Sequence, residues 1–301
     1  MDNIIPPAMT AVSAKYEMLI AAARERASGH PVIIAFADSR YTDVLMNWLV
    51  ALALQRIDNY LVMALDRDLH QLLTAHDIPC VLCELNGDLG DLWVERVRVF
   101  AALCAAGIDF IHSDVDAIWL RDPRHAHLGA TDVDLIASQG TVWPHDVHER
   151  FGFVLCCGLF LLRSSAASQQ LIADLLSDVA MTRDDQVSLN RLLADRRITW
   201  RTKPPDTYYI EAGGPRRFLC SKSPIVGHTP DGLRVSLLPH HLFQRVPLPL
   251  AEIPFVSHPL TPKEPNAKLA EFARLGWLFI RPDWRQHEFD VRSLRDLRRA
   301  S

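Results

Sequence analysis

Four apolar runs of strand length, separated by stretches of helical periodicity, constrain the fold of this chain more than any other feature. They are Pro31-Val-Ile-Ile-Ala-Phe-Ala37, Tyr60-Leu-Val-Met-Ala-Leu65, Pro79-Cys-Val-Leu-Cys83 and Ile108-Asp-Phe-Ile-His112. Between them, Asp43 to Arg56 repeats Leu45, Trp48, Leu49 and Leu52 at helical spacing, and Arg67 to Ala75 continues the pattern. Leu92 to Ala106 is a third helical stretch, ending at Gly107, a natural C-terminal stop. Strands apolar on both faces belong to buried parallel sheets, and strand–helix alternation predicts an α/β doubly wound sheet. Ligands bind such sheets beyond the carboxyl ends of the strands. Asp38, Asp66 and the pair Asp114/Asp116 each follow a strand, so all are expected at one rim.

The fourth strand runs into Asp114-Val115-Asp116 and then Ala-Ile-Trp119-Leu-Arg121-Asp122-Pro123. On an extended strand, residues two apart point the same way, so Asp114 and Asp116 are expected on one face. Two like charges on a strand end are tolerated best with a cation between them. All-oxygen ligands suit a hard ion, Mn²⁺ or Mg²⁺, which keeps open positions for phosphate oxygens. The motif therefore predicts a metal–diphosphate site; a solvated Asp-rich turn is the plainer alternative.

Composition narrows the class. The 301 residues are 49% apolar and 23% charged, which excludes global disorder, and the net charge of −4 supplies no general attraction to nucleic acid. The basic segment Arg292 to Arg299 reads as a solvated helix face or frayed end. No run reaches the roughly 18 apolar residues of a membrane span, and Met1-Asp-Asn-Ile-Ile-Pro-Pro7 lacks the pattern of a signal peptide. Six cysteines do not suggest a disulfide scaffold, Cys80 and Cys83 lack a second Cys/His pair for zinc, and Cys156-Cys157 reads as core packing. A reducing, cytoplasmic setting is the resulting expectation.

Farther along, Val133 to Ser138 and Phe153 to Leu162 read as strands, Ser165 to Val179 as a helix, and Asp184 to Asn190 as the opening of another. Thr202 to Arg217 reads as loop. No repeat or linker marks a boundary. One domain is expected over 1–301, with a nucleotide-binding half at about 30–130 and a donor-sugar and acceptor half at about 131–285.

These residues, in this order, resemble the nucleotide-diphospho-sugar transferases of glycosyltransferase family 77, with a weaker likeness to family 8. The likeness runs from Val32 to Trp277. It is carried by Ala37-Asp38-Ser-Arg-Tyr41 with Asn47-Trp48-Leu49, the Asp114 to Pro123 block, Cys157-Gly158-Leu-Phe-Leu-Leu-Arg163, Asp185-Gln186 with Asn190, Leu237-Leu-Pro239, Leu242-Phe243 and His258. The resemblance implies a GT-A fold and a retaining transferase that uses a nucleotide sugar, commonly a UDP-sugar, with Mn²⁺ or Mg²⁺. It implies that Asp114, Asp116 and His258 hold the metal, and that Asp38, Tyr41, Asp66, Val115 and Gly158 lie on the donor side. Arg96 or Arg98 and Lys263 would meet the donor phosphates or sugar, and Asp185 and Gln186 would stand at the reaction centre. Two departures concern the donor sugar: Cys156 where relatives often carry Asn, and arginines where relatives often carry Lys before the acidic motif.

Each residue also has a structural use open to it: Asp66 and Asp184 as helix caps, Asp185 as a complement to a helix dipole, His258 as a strand-end hydrogen-bonder. Two rival functions share the motif. A haloacid dehalogenase-type phosphatase also uses a strand-end Asp-x-Asp with Mg²⁺, usually nearer the chain start. A non-catalytic nucleotide-sugar-binding protein would keep the fold with a degenerate site. The acceptor is left open.

Overall fold

The computed structural model describes residues 14–27, 29–203, 205–211, 216–248 and 252–299. The reading of Met1–Pro7 lies outside the described residues. Helix α1 (Ala14–Arg26) precedes β1 (Val32–Ala37), α2 (Thr42–Leu54), β2 (Tyr60–Ala64), α3 (Arg67–Ala75), β3 (Cys80–Leu82), α4 (Leu89–Ala105) and β4 (Phe110–Ser113). These are the four expected strands and the helices between them, with boundaries moved by a few residues. Next come β5 (Ile118–Trp119), β6 (Leu135–Gln139), α5 (His145–Phe151), β7 (Leu155–Leu162), α6 (Ala166–Thr182) and α7 (Asp185–Asp195). The remainder is β8 (Thr199–Arg201), β9 (Thr207–Glu211), β10 (Arg217–Ser221), β11 (Ile225–His228), β12 (Arg234–Leu237), β13 (Phe243–Gln244), β14 (Val256–Ser257) and α8 (Pro265–Leu275).

Nine strands form one mixed sheet in the order β3-β2-β1-β4-β7-β6-β12-β11-β8. Strands β1 to β4 are parallel, and β7 runs against both β4 and β6, so β6 and β12 again point the way β4 does. The carboxyl ends of β3, β2, β1, β4 and β6 therefore open at one rim, in that order along the sheet. This is the GT-A-type α/β arrangement expected from the sequence.

Side-chain alternation on β1 splits the core in two. Ile33, Ala35 and Ala37 join Trp48, Tyr60 and Trp119 on one face; Val32, Ile34 and Phe36 join Phe100, Phe110 and Phe160 on the other. Both faces of the sheet are covered, which is why the strands read as unbroken apolar runs.

Three expectations need correction. Asp114 and Asp116 do not sit on an extended strand: β4 ends at Ser113, and Ala117 N–H closes a turn onto Asp114 C=O at 3.0 Å. Within the expected loop 202–217, Thr207-Tyr-Tyr-Ile-Glu211 pairs antiparallel with β10, because Ile210 can bury against Phe218 and Cys220. The basic C-terminal stretch does turn its arginines to solvent, but from a docked 3₁₀ turn rather than a regular helix or a frayed end. Leu294 and Leu297 are buried in a 3₁₀ turn, and Arg295 donates to the Ala53 carbonyl.

Candidate active site

The acidic turn is held from below by buried hydrogen bonds. Ser113 Oγ accepts the indole N–H of Trp48 (3.3 Å) and of Trp119 (3.1 Å) and donates to the Asp114 carbonyl (3.1 Å). Asp114 N–H donates to Gly158 C=O at 2.7 Å, tying the turn to β7. These contacts, rather than strand alternation, bring the two carboxylates together.

Each carboxylate commits one oxygen to a buried cation and leaves the other facing inward. Asp114 Oδ1 accepts from Arg96 Nη1 at 2.8 Å and lies 3.1 Å from His112 Nε2. Asp116 Oδ2 accepts from Lys268 Nζ, which also donates to Thr261 Oγ1 at 3.2 Å. The inward oxygens meet His258, whose Nε2 lies 3.1 Å from Asp116 Oδ1 and 3.7 Å from Asp114 Oδ2. One ligand atom from each of Asp114, Asp116 and His258 lies within 4.8 Å of the other two. Two carboxylate oxygens and an imidazole nitrogen at this spacing could hold a divalent metal ion.

Gly158 makes room for this cluster. A Cβ there would lie 2.2 Å from His258 Cε1 and 2.5 Å from Asp114 Oδ2. Cys156, two residues earlier on the same face of β7, sits 3.9 Å from His258 Nδ1. Cys156 is buried at the edge of the cleft, while Cys157 packs into the core as the sequence suggested.

The electrostatics follow from burial opposed by counter-charges. Burial presses the Asp114 pKa upward, but Arg96, with help from His112 and His258, holds it well below the carboxylate range. Asp116 likewise overcomes burial, through His258 and Lys268. Burial and Arg245 push the His258 pKa down, and Asp116 more than reverses this, raising it to about 9. Burial raises Cys156, yet Arg245 and His258 bring it down to about 7. His112 is enclosed by Phe36, Phe100 and Phe160, and its pKa is lowered by burial and then by Arg96.

Arg96 lies between the acidic turn and α7. It pairs with Asp185, while the Trp93 ring lies 4.3 Å from its guanidinium. Burial raises the Asp185 pKa despite Arg96. Gln186 is a strut: Oε1 accepts Cys157 N–H at 3.2 Å and Nε2 donates to Trp143 C=O at 2.7 Å. Asn190 holds both the N–H and C=O of Leu155, so its part in the motif is to dock α7 on β7.

The residues predicted from sequence converge, with one exception. Asp38, Tyr41, Asp66, Arg96, Asp114, Val115, Asp116, Gly158, Asp185, Gln186, His258 and Lys263 all line one cleft of about 870 Å³. Arg98 does not; its side chain projects from α4 to pair with Glu95 at 3.4 Å. Residues two apart on a helix do not share a face, and Arg96 holds the inner one. Asp66 is a cap, accepting Leu69 N–H at 2.8 Å and Ser39 N–H at 2.7 Å. Asp38 caps the turn Ser39–Tyr41 and pairs with Arg40. Lys263 stays at the rim, 5.6 Å from the Trp93 ring centroid, with its carbonyl accepting the Tyr41 hydroxyl. Lys268 and His112 were missed. A lysine on an amphipathic helix and a histidine inside a strand carry no local sign of such contacts.

A cleft of this size at the carboxyl rim of a doubly wound sheet, with a carboxylate–imidazole cluster at its centre, lies where such a fold binds a ligand. The chain belongs to the nucleotide-diphospho-sugar transferase family, whose sequence profile matches residues 55–258. It is a glycosyltransferase by family, which sets the phosphatase reading aside. It is 21% identical over 165 residues to arabinosyltransferase XEG113 of Arabidopsis thaliana, a match covering 49% of this chain and 25% of that protein. The chain thus spans about a quarter of this curated relative. Among solved structures it is similar to the bifunctional glycosyltransferase WbbM (10% identity, TM-score 0.41, 55% of this chain and 38% of that one). It is also similar to GlyE of Streptococcus pneumoniae TIGR4 (14% identity, TM-score 0.40, 55% and 44%). Among the described residues, no helix is long and apolar enough to cross a membrane.

Proposed function

We propose that this chain transfers a sugar from a nucleotide diphosphate donor, a UDP-sugar, to an acceptor hydroxyl with retention and with a bound Mn²⁺ or Mg²⁺. The observation that carries the reading is the convergence of Asp114, Asp116 and His258 at the middle of the rim. The ends of β1 and β2 line the cleft on one side and α7 on the other. In this reading Asp114, Asp116 and His258 hold the metal, which would supply Lewis-acid stabilisation of the leaving diphosphate. Asp38, Tyr41, Asp66 and Val115 line the nucleotide side, within the half at about 30–130. Asp185 and Gln186 stand at the reaction centre, within the half at about 131–285.

The remaining work is positioning. Arg96 and Lys268 keep the carboxylates ionised and aimed inward, and Lys263 adds positive charge at the rim for a diphosphate oxygen. The departing phosphate can accept the proton of the attacking hydroxyl, so no separate base is needed. Six free cysteines, one of them beside His258, support a reducing, cytoplasmic setting.

The test is release of UDP from a panel of UDP-sugars with and without Mn²⁺, including slow transfer to water. Metal-dependent release that disappears in Asp114→Asn supports the reading. Donor binding with no turnover of any sugar would favour a non-catalytic nucleotide-sugar-binding protein.

A further inference from the structure

Trp143 is an exposed aromatic fixed in place beside a polar cleft. It follows β6, on the far side of β4 from the ends of β1 and β2, where Asp38 and Asp66 lie. Its side chain remains 49% exposed, although it lines the same cleft as Asp114 and Asp185. A single exposed aromatic is ordinary on a protein surface, but this one is fixed inside a ligand-sized cleft, where its apolar face and polar edge can meet a bound molecule.

Three contacts hold it. The indole N–H donates to Asp184 Oδ2 at 3.3 Å, while the other oxygen of Asp184 caps α7 through Val187 N–H at 2.9 Å. The main-chain carbonyl accepts from Gln186, the strut that also holds Cys157 on β7. The His145 ring packs edge-on at 5.1 Å, and its Nε2 lies 2.6 Å from Arg216 Nη1. A flat apolar face is thus presented beside a carboxylate, an imidazole and a guanidinium, one hydrogen-bond step from Gln186.

We propose that Trp143 is the platform of an acceptor subsite and that the acceptor is itself a sugar, stacked on the open indole face. A sugar ring has an apolar C–H face edged by hydroxyls. The indole matches the face, and Asp184, His145 and Arg216 match the hydroxyls. A serine or threonine side chain has no such face, and a lipid chain would need an apolar wall where this rim is charged. The proposal rests on the transferase reading for the identity of the neighbouring donor site.

The test is saturation-transfer NMR of the full chain with three probes: methyl β-D-galactopyranoside, methyl β-D-glucopyranoside and methyl α-L-arabinofuranoside. A short serine/threonine peptide is the control, and binding of UDP with Mn²⁺ is measured on the same wild-type sample. The expected result is saturation of ring C–H protons of at least one glycoside, weakened at least tenfold in Trp143→Ala and restored in Trp143→Phe. Should the alanine variant not fold, a shift of the Trp143 indole N–H resonance on adding that glycoside carries the same information. Wild-type UDP binding with no glycoside contact, unchanged contact in Trp143→Ala, or binding of the peptide alone overturns the proposal. Failure of UDP itself to bind would strike the transferase reading and is read separately.

Discussion

Lys268 on α8 places its ammonium on the carboxylate of Asp116, 152 residues earlier in the chain, and both side chains are buried. The contact closes the C-terminal helix onto the acidic turn. It also gives the acidic pair a counter-charge belonging to the protein itself. Removing one partner of a buried pair leaves the other uncompensated, at a cost of about 3–5 kcal/mol. Lys268→Met is therefore expected to lower the melting temperature of the metal-free protein. Because a bound cation can replace the lost charge, Mn²⁺ should raise the melting temperature more in Lys268→Met than in the wild type. Equal increments, measured by scanning calorimetry, would contradict this role for Lys268.

Arg96 bridges Asp114 and Asp185 from the interior. Arg96→Met should destabilise by about 3–5 kcal/mol in urea unfolding, because two buried carboxylates lose their shared partner. Arg96→Lys should rescue little of this, since an ammonium cannot span both acids as the guanidinium fork does. Arg98→Met should cost less than Arg96→Met, because the Arg98 side chain is half exposed and its buried partner Glu95 keeps hydrogen bonds from Tyr16 and Cys83.

Gly158→Ala should act on the metal rather than on the fold. The added methyl would lie 2.2 Å from His258 Cε1, so the imidazole must rotate away. Loss of one of the three proposed ligands should weaken Mn²⁺ binding by about 10²-fold, the scale at which disturbed ligand positioning is felt. Calorimetric titration of Mn²⁺ measures this, with circular dichroism to establish that the variant is folded.

The pH dependence follows from His258, whose pKa is raised to about 9 because, against burial and Arg245, Asp116 favours its charged form. A raised histidine adds stability that is fully present below its unfolded pKa of about 6.5. That contribution is lost as pH rises through 9, so the metal-free protein should melt progressively lower across this window. Metal needs the neutral imidazole, so Mn²⁺ affinity should move the opposite way, rising up to about tenfold per unit between pH 7 and 9. Titration in buffers of different ionisation enthalpy should show close to one proton released per metal at pH 7.

The fold was legible because β1 to β4 are apolar on both faces and the intervening helices have clear periodicity and stops. The site was legible as a set of residue types at strand ends, and twelve of the named positions do share the cleft. What sequence reasoning missed depends on contacts far apart in the chain. Asp114 and Asp116 converge through a turn braced by Ser113 and two tryptophans, and no local pattern encodes that bracing. Lys263 and Lys268 are equally plausible by spacing, and only the direction of α8 decides which reaches Asp116. Asn47 and Trp48, which carry part of the family resemblance, serve the fold. Asn47 accepts Phe279 N–H at 2.6 Å and donates to Trp277 C=O at 3.1 Å, docking the C-terminal segment.

The most direct test of the account is calorimetric titration of UDP into the full chain with and without Mn²⁺, for the wild type and Asp116→Asn. The account predicts binding that requires Mn²⁺ and falls by at least tenfold in the variant. Binding of equal strength without metal, or undiminished in Asp116→Asn, would contradict the assignment of Asp114, Asp116 and His258 as the metal–diphosphate centre.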